Sequence, residues 1–387
     1  MTNISNLANE VVEFSRKIFG DEFIPLHRPI FNGNEREYLI ECIDSNFVSS
    51  VGEKVTEFEN NIADFTGTKY AIATVNGTSA LHAAIELAGV ERGDEVITQA
   101  LTFIATCNAI SYVGAVPVFV DVDMETLGMS PKSIREFLEE GCEMRNGYCY
   151  NKFTGKRISA CIPMHTFGFP CKVKEISEIC FEWNIALIED AAESLGSFIG
   201  KRHTGTFSSM ATLSFNGNKL ITTGGGGMII TDDEILAKKA KHLTTTAKKA
   251  HPYEFFHDIK GYNYRLPNLN AALGCAQLEQ IEKLLEEKRK LAKAWSKFFS
   301  NRNINFIEER SGTKANYWLN TICLDSKTER NKFLEITNEK GVMTRPIWTL
   351  MSKLPMFKDC QKDSLKNSYF LEDRIVNIPS SVPESVR

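Results

Sequence analysis

The sequence has no long apolar run, no excess of basic residues and no N-terminal targeting pattern. None of its 387 residues belongs to a stretch apolar enough to cross a bilayer, and residues 1–10 lack a basic region followed by an apolar one. The net charge of -4 is unlike that of a nucleic-acid-binding protein. We therefore expect a cytoplasmic protein that binds neither membranes nor nucleic acid.

Cysteine and glycine spacing narrows the class further. The ten cysteines include no Cys-x-x-Cys pair, and histidines and cysteines do not cluster at metal-binding spacing. Scattered thiols are typical of a reduced cytosolic chain, so we predict no disulfide framework and no bound metal. The early Gly-x-Gly-x-x-Gly pattern of a Rossmann oxidoreductase is also missing, which argues against that class.

What the sequence does contain, between residues 70 and 230, is an alternation of short β-branched runs with helix-length amphipathic stretches. This alternation predicts an α/β fold with a largely parallel sheet flanked by helices. The predicted strands are 71–75, 95–98, 117–120, 158–163, 186–188, 211–215 and 228–231. The predicted helices include 79–87, 105–113, 131–139 and 173–183.

A domain boundary is predicted near residues 245–255, where the alternation gives way to a polar region. Residues 1–250 would form a large α/β domain with an N-terminal arm, and residues 251–387 a smaller α+β domain. The smaller domain is predicted to contain a helical run at 269–299, a strand-like run at 317–324 and a helix at 327–340. Residues 141–157 interrupt the alternation with Gly147 and several aromatic residues, which predicts a hairpin or surface insertion.

Lys219 stands just beyond a predicted strand exit. The strand ends at Phe215, an Asn-Gly-Asn turn follows at 216–218, and four glycines at 224–227 allow close approach of backbone to backbone. Strand exits are where α/β proteins build their sites. A loop lysine is usually an ordinary surface residue, so this pattern alone leaves both interpretations open.

Two other predicted strands end at polar residues that could bind a pyridine ring or a phosphate. Asp190 ends an apolar strand, where a carboxylate can pair with a protonated pyridine nitrogen, although Asp-Ala there can also be a helix cap. Gly77, Thr78 and Ser79 open a helix, and backbone amides at a helix start form a phosphate site or a plain cap. The conjunction of amine, carboxylate and phosphate cradle at the exits of one sheet favours the functional interpretation.

Eight segments support a more specific assignment: GEKVTEFE (52–59), NGTSA (76–80), TFIAT (102–106), PMHTFG (163–168), EDAAE (189–193), SFNGNK (214–219), GYNYR (261–265) and NIPSS (377–381). In this order, over about residues 25–383, they resemble the DegT/DnrJ/EryC1/StrS sugar aminotransferases, which are fold-type I enzymes dependent on pyridoxal 5'-phosphate (PLP). The resemblance implies that fold, with a large mainly parallel-sheet domain and a smaller C-terminal α+β domain. It also implies PLP as cofactor and transamination of a keto sugar.

The resemblance implies a role for each motif residue. Lys219 would hold the cofactor covalently and, once released, move a proton between the substrate carbon and the cofactor. A partly desolvated lysine amine is chemically suited to act as nucleophile and base. Asp190 would pair with the pyridine nitrogen, and Phe103 would stack on the ring. The residues implied for the phosphate are Thr78, Ser79 and Ser214.

Three further residues carry interpretations that stay open. Glu193 stands where many members carry Gln near the ring hydroxyl, and a carboxylate beside a phenolate-like oxygen repels it unless one of the two is protonated. Asn263 is implied to reach the phosphate of the neighbouring subunit, in a homodimer with shared active sites. His165 matches a family histidine near the cofactor but reads equally well as a hydrogen-bonded core residue.

The implied reaction is a ping-pong exchange with glutamate as amino donor and a nucleotide-linked keto sugar as acceptor. The 216–218 turn and the insertion look most like members that aminate carbon 4 of a UDP-4-keto-6-deoxy-N-acetylhexosamine, on bacterial surface-glycan routes to legionaminic acid or bacillosamine. Alternatives are a 3-aminotransferase for a dTDP-linked sugar, a PLP-dependent sugar dehydratase and a non-catalytic nucleotide-sugar-binding regulator. Lys219 disfavours the dehydratase, and Lys219 with Asp190 disfavours the regulator. Basic candidates for the nucleotide diphosphate are Arg28, Lys201 and Arg202.

Overall fold

The computed structural model describes residues 3–383, and its helices alternate with strands as far as residue 244. Most of the predicted helices are present with ends shifted by one or two residues. The α-helices are α1 (Ile4–Phe19), α2 (Glu35–Asp44), α3 (Glu53–Thr66), α4 (Gly77–Leu87), α5 (Ile104–Tyr112), α6 (Pro131–Gly141), α7 (Val173–Glu182), α8 (Glu234–Thr244), α9 (Asn268–Leu278), α10 (Ile281–Ser300), α11 (Lys327–Glu339) and α12 (Lys366–Glu372).

The strands form one large sheet and two smaller ones. The strands are β1 (Tyr70–Thr74), β2 (Glu95–Gln99), β3 (Val116–Val120), β4 (Cys142–Arg145), β5 (Tyr148–Asn151), β6 (Arg157–Ile162), β7 (Ala186–Asp190), β8 (Phe198–Ile199), β9 (Arg202–His203), β10 (Met210–Ser214), β11 (Gly227–Thr231), β12 (Asn305–Phe306), β13 (Thr313–Lys314), β14 (Asn320–Cys323), β15 (Arg345–Pro346) and β16 (Ile375–Ile378).

The large sheet has the strand order β1-β11-β10-β7-β6-β2-β3. Strands β4 and β5 extend the same sheet, with β5 antiparallel to β6. Neighbours from β10 to β3 are parallel, and β11 runs against both β10 and β1. The carboxyl ends of β1, β7 and β10 therefore meet at one edge, where open α/β sheets bind their ligands. The predicted α/β class with a mainly parallel sheet is confirmed.

Both faces of the large sheet are covered, which explains the nearly continuous apolar runs of its strands. Ile72, Ile162 and Ile229 point to the face packed by α4, α5 and α8. The residues that alternate with these along the strands point to the other face of the sheet. Helices α3 and α9 cover one end of that face, and α6 and α7 cover the other end. The sheet is thus the middle of three layers, and its strand ends are held rigidly.

The predicted insertion is a β-hairpin. Strands β4 and β5 are antiparallel and joined by Asn146 and Gly147, both with positive φ, as a tight hairpin turn requires. The hairpin lies at the amino end of β2. Asn151, the last residue of β5, donates to Oε2 of Glu95, the first residue of β2, at 2.7 Å. This is the end of the sheet opposite to the carboxyl edge, so the hairpin does not reach a ligand bound there.

The predicted helical run 269–299 is wrong in one respect, because it consists of two helices. α9 ends at Leu278 and α10 starts at Ile281. Neither Gly nor Pro marks the break, so the helical periodicity of the sequence continues across it. α9 packs with α3 under the large sheet, where Ile281, Leu284 and Leu285 at the start of α10 join it. The later part of α10 contributes Leu291, Trp295 and Phe299 to the C-terminal core.

The C-terminal region is built on the antiparallel sheet β12-β14-β16-β15, which α10 and α11 cover. The N-terminal helix α1 joins this core through Leu7, Ala8 and Val11. The predicted domain division near residues 245–255 stays a prediction. Within residues 3–383, no helix is sufficiently long and apolar to cross a membrane, and no group of His, Cys, Asp or Glu is arranged to hold a metal ion.

Candidate active site

A cavity of about 320 Å³ opens at the carboxyl edge of the large sheet. Its floor comes from the ends of β7 and β10 and from the start of α4, and its roof from Trp318 and Trp348 of the C-terminal region. This size and this place in the fold are those of a small-molecule site. The cavity brings together Lys219, Asp190 and Thr78, three of the residues singled out in the sequence.

Lys219 projects into this cavity from the turn after β10. The turn is closed by a hydrogen bond from the Lys219 N–H to the Asn216 carbonyl, at 3.0 Å. The amine lies 3.3 Å from Glu193 Oε1, and only 13% of the side chain is exposed. At the start of β11, Gly227 allows that strand to approach the start of α4 closely, since a Cβ at that position would overlap the backbone of Asn76. Lys219 is therefore a largely desolvated amine facing a cavity.

Asp190 ends β7 and is 4% exposed. Its Oδ2 accepts the Thr106 hydroxyl at 2.7 Å, and its Oδ1 accepts the Ala192 N–H at 3.2 Å. Burial raises the pKa of Asp190, although both hydrogen bonds stabilise the anion. A cation bound in the cavity beside this carboxylate would offset the cost of its buried charge.

Glu193 follows Asp190 by three residues and shares the cavity wall. Its Oε2 accepts the Phe167 N–H at 2.9 Å, and its Oε1 faces Lys219. Burial raises the pKa of Glu193 to about 7, although the nearby lysine amine opposes the shift. A carboxyl group with this pKa is partly protonated at neutral pH, which removes much of the repulsion expected against a phenolate-like oxygen.

The start of α4 forms one end of the cavity. Asn76 caps this helix by accepting the Ser79 N–H at 2.7 Å, which leaves the preceding first-turn N–H groups for another acceptor. Thr78 and Ser214 line the cavity there, whereas Ser79 is buried and does not. Gly77 brings helix and strand together, because a Cβ on it would lie 2.9 Å from Ser214 Cβ.

These residues fit pyridoxal phosphate. A buried carboxylate for the pyridine nitrogen, an amine for the aldehyde carbon and a helix N-terminus for the phosphate surround one cavity. Phe103 adds an exposed ring at the cavity wall, 47% exposed and 6.1 Å between centroids from Trp348. The side chains thus supply each type of contact that the cofactor needs.

His165 and Asn263 lie outside the cavity lining. His165 is fully buried, with Nε2 3.0 Å from Glu189 Oε2 and Nδ1 accepting the Cys171 N–H at 3.1 Å. Both ring nitrogens are thus engaged in the core behind Asp190. Asn263 is exposed and accepts a hydrogen bond from Arg265 at 2.9 Å. In a single subunit, neither side chain faces the cavity.

The three basic residues considered for binding the nucleotide diphosphate also lie outside this cavity. Lys201 and Arg202 are exposed at the β8–β9 turn, where the Arg202 guanidinium lies 4.3 Å from the centroid of the Phe207 ring. Arg28 lines a separate small cavity together with Ser381, to whose hydroxyl its N–H donates. None of these three residues lines the cavity around Lys219.

Sequence reasoning missed the roof. Trp318 and Trp348 follow Lys219 by about a hundred residues or more and lie in no strand exit of the large sheet. Thr106, which holds Asp190, stands inside the quoted TFIAT segment without an assigned role. Neither tryptophan stands in a motif that marks a cavity, and tryptophan is as common in cores.

Comparison with known proteins identifies the family of the chain. Residues 29–384 match the DegT/DnrJ/EryC1/StrS aminotransferase family. The chain is 37% identical over 364 residues to GDP-perosamine synthase of Escherichia coli O157:H7, and the aligned residues make up 93% of each chain. It is 35% identical over 335 residues, 86% of this chain and 84% of the relative, to EpsN of Bacillus subtilis (strain 168), whose name assigns it provisionally to the pyridoxal phosphate-dependent aminotransferases.

Solved structures show the same fold. The aminotransferase TlmJ from Streptoalloteichus hindustanus superposes with a TM-score of 0.84 at 23% identity, over 92% of this chain and 93% of that one. Helicobacter pylori PseC gives 0.83 at 20% identity, over 92% and 94%. The predicted fold-type I architecture is confirmed. The chain therefore belongs to the DegT/DnrJ/EryC1/StrS aminotransferase family, and its cofactor is pyridoxal phosphate.

Proposed function

We propose that this enzyme transfers the amino group of glutamate to the C4 keto group of a nucleotide-linked 6-deoxy sugar, yielding the amino sugar and 2-oxoglutarate. The observation that carries the proposal is the convergence of the Lys219 amine, the Asp190 carboxylate and the start of α4 on one cavity. We place the reaction in the cytoplasm and in the synthesis of bacterial surface glycans.

Pyridoxal phosphate, when bound, withdraws electrons from the substrate carbon that loses its proton. Asp190 keeps the pyridine nitrogen protonated, and this role explains a buried carboxylate held by two donors. Phe103 packs on the ring. The phosphate is held at the start of α4 by Thr78 and Ser214. Ser79, which the resemblance also implied, is buried outside the cavity lining, and its N–H is already bonded to Asn76.

Lys219 performs two tasks in this proposal. It holds the cofactor between turnovers and, once displaced, carries the proton from the donor or acceptor carbon at its Nζ. The side chain is 13% exposed, so bulk water competes little for that proton. Glu193 lies 3.3 Å from the same amine. Because its pKa is near 7, its carboxyl group can either donate or accept a hydrogen bond, according to the protonation state of its neighbours.

The names of relatives support the C4 position. GDP-perosamine synthases of Escherichia coli O157:H7, Vibrio cholerae and Caulobacter vibrioides share 37%, 34% and 34% identity with this chain. Each covers at least 89% of this chain, and the activity in that name is a 4-amination. These relatives favour a GDP-linked 4-keto-6-deoxyhexose as the first substrate to test.

A UDP-linked 4-keto-6-deoxy-N-acetylhexosamine is the second candidate. Asn216 and Asn218, from the turn that suggested this substrate, line the cavity and offer amide groups to an acceptor sugar. The hairpin of β4 and β5, which also suggested it, lies at the opposite end of the sheet and supports neither substrate.

The test is incubation of the purified enzyme with glutamate and, separately, each of the two 4-keto nucleotide sugars, a 3-keto nucleotide sugar and a dTDP-linked keto sugar, followed by NMR of the product. We expect an amine on C4 from one of the first two. An enzyme that aminates only a 3-keto sugar, or only a dTDP-linked one, would refute the substrate assignment. An enzyme that binds these nucleotide sugars without turnover would instead be the non-catalytic regulator.

We also propose a homodimer in which Asn263 completes the phosphate site of the partner. Its exposure, away from the cavity of its own subunit, supports this arrangement. The test mixes two inactive variants, Lys219→Ala and Asn263→Ala, under conditions that exchange subunits. Random exchange makes half of the dimers hybrids with one intact site, so activity should return to roughly a quarter of the wild-type value. No recovery would exclude the shared site.

A further inference from the structure

The indole ring of Trp318 covers the amine of Lys219. Nζ lies 3.9 Å from the ring centroid, and Trp318 is only 5% exposed. On another side the same amine faces Glu193 Oε1 at 3.3 Å. The amine thus contacts an aromatic face and a carboxyl group, the two surfaces that bind an ammonium group most favourably in a desolvated site.

Trp318 is fixed in this position through each of its polar groups. Its backbone N–H donates to Asn316 Oδ1 at 2.8 Å, and its carbonyl accepts Lys288 Nζ at 2.8 Å. Its indole N–H donates to the Asn218 carbonyl, one residue before Lys219, at 2.6 Å. The ring cannot turn away from the amine without breaking the last of these bonds, so its position is built into the fold.

Asn316 connects both contacts of the amine. Its Nδ2 donates to the carbonyls of Glu193 and Leu195, each at 2.9 Å, while its Oδ1 accepts the Trp318 N–H. The side chain is completely buried and fully hydrogen-bonded. A Cβ at Gly168 would overlap Asn316 Oδ1, so glycine there leaves room for this amide. One buried side chain therefore sets the spacing between Glu193 and Trp318.

The other charged groups around Lys219 are compatible with a protonated amine. Asp190 supplies a second carboxylate from the end of β7. His27, from the segment after α1, and Lys288, behind Trp318, are the cationic groups on that side. Burial lowers the pKa of His27 and of Lys288, which disfavours a full positive charge on either.

We propose that Trp318 and Glu193 together form a binding site for the protonated amine of Lys219, with Asn316 as the positioning residue for both. The proposal rests on the proton-carrying role of Lys219 given above. When the C–H bond of the substrate carbon breaks, its electron pair stays with the carbon, from which the bound cofactor would withdraw it, and its proton joins the Nζ lone pair. The ammonium group so formed lies on the indole face. The site stabilises the amine in the form that holds the proton for its return.

The proposal is tested on the full-length apo-protein, with the cofactor removed by dialysis against cysteine. Only the neutral amine reacts with acetic anhydride, so acetylation of Lys219, measured by mass spectrometry at pH 7.5 and pH 10.5, reports its protonation. Loss of the cation–π contact in Trp318→Leu should make the neutral amine more abundant at pH 7.5. The rate at pH 7.5 divided by the rate at pH 10.5 should therefore rise by about three- to tenfold. Trp318→Phe, which keeps a weaker aromatic face, should give a smaller increase.

Two controls separate protonation from access. Trp348→Leu opens the same cavity without removing the ring over the amine, so both rates should rise and their ratio should stay constant. The exposed Lys132 provides an internal standard in each digest. A Trp318→Leu variant whose rates rise equally at both pH values would overturn the proposal, because the ring would then only block access.

If Trp318→Leu does not fold, as judged by circular dichroism, Trp318→Phe decides the question, and an unchanged ratio there also overturns the proposal. Failure of the proposed function is recognised separately. It would appear as a wild-type protein without a lysine-bound cofactor, whereas the acetylation ratios are measured with no cofactor present.

Discussion

The floor and the roof of the cavity are built in different ways. The floor consists of short segments that leave the large sheet at one edge, from which Thr78, Asp190 and Lys219 line the cavity. The roof consists of Trp318 and Trp348, which follow at distant places in the chain, and the buried Asn316 positions Trp318. In the proposed function the floor carries the chemistry, and the roof sets the environment in which the floor works.

This difference decides what a sequence reveals. Parallel strands bring their carboxyl ends together, so a polar residue after each strand can be located from the strand pattern alone. The position of Trp318 depends on Asn316 and Lys288, both fully buried polar residues with no periodic signal. A roof made in this way is visible only once the packing is known.

The largest effect is expected in the floor, at Lys219. Lys219→Ala should lower kcat by more than about 10³-fold, because it removes both the covalent anchor and the proton carrier. Its thermal midpoint should change little, since the side chain projects into a cavity and fills no core. Lys201→Ala, at an exposed turn, is the matched control and should keep its rate. Near-normal turnover of the Lys219 variant would remove that residue from the mechanism.

Asp190→Asn should lower kcat by about 10²- to 10³-fold while the cofactor still binds. A neutral amide cannot hold the pyridine nitrogen protonated, so proton abstraction slows. Steady-state kinetics and equilibrium dialysis of the cofactor measure the two quantities. Asp233→Asn, at the N-terminus of α8, is the control for loss of a carboxylate elsewhere. Wild-type rates in Asp190→Asn would place the nitrogen contact on another residue.

The roof should give a smaller effect. Asn316→Ala removes the hydrogen bonds that position both Glu193 and Trp318, and we expect kcat to fall about tenfold with KM less affected. The acetylation ratio of Lys219 should rise as in the Trp318 variants. A variant that is merely less stable, with an unchanged ratio, would show that Asn316 supports the fold and not the amine.

Glu193 links floor and roof, and its burial should appear in the pH dependence of stability. The folded protein raises its pKa from 4.5 to about 7, so the folded state holds a proton between these values that the unfolded chain has lost. Stability therefore falls as pH rises through this window, by at most about 3 kcal/mol. We therefore compare the thermal midpoints of the wild-type and Glu193→Gln apo-proteins. The midpoint of the variant should exceed that of the wild type by a margin that grows from pH 5 to pH 8. A constant difference would mean that Glu193 is ionised throughout.

The smallest effect is expected at the hairpin of β4 and β5. Replacing the exposed Arg145 and Tyr148 by Ser should leave kcat/KM within about twofold, because the hairpin lies at the opposite end of the sheet from the cavity. Assays with both 4-keto sugars check this. A substrate-selective loss would show that the hairpin takes part in recognition after all.

The sequence predicted the large sheet, its main helices and the hairpin at residues 141–157, because periodicity and turn residues determine these locally. It did not predict the break between α9 and α10, where no residue interrupts the helical pattern. In the site, Lys219, Asp190 and Thr78 line the cavity, as the strand and helix ends indicated. Glu193, Ser214 and Phe103, which the resemblance implied, line it too. His165 resisted prediction because only packing shows that both its nitrogens are engaged in the core.

The most direct test of the account is the absorbance spectrum of the purified protein with pyridoxal phosphate, before and after addition of glutamate. We predict the visible band of a lysine-bound cofactor in the wild type, its loss on addition of glutamate, and no such band in Lys219→Ala. A folded wild-type protein that shows no lysine-bound band, or a band that persists in Lys219→Ala, would contradict the assignment of Lys219 as the residue on which the site is built.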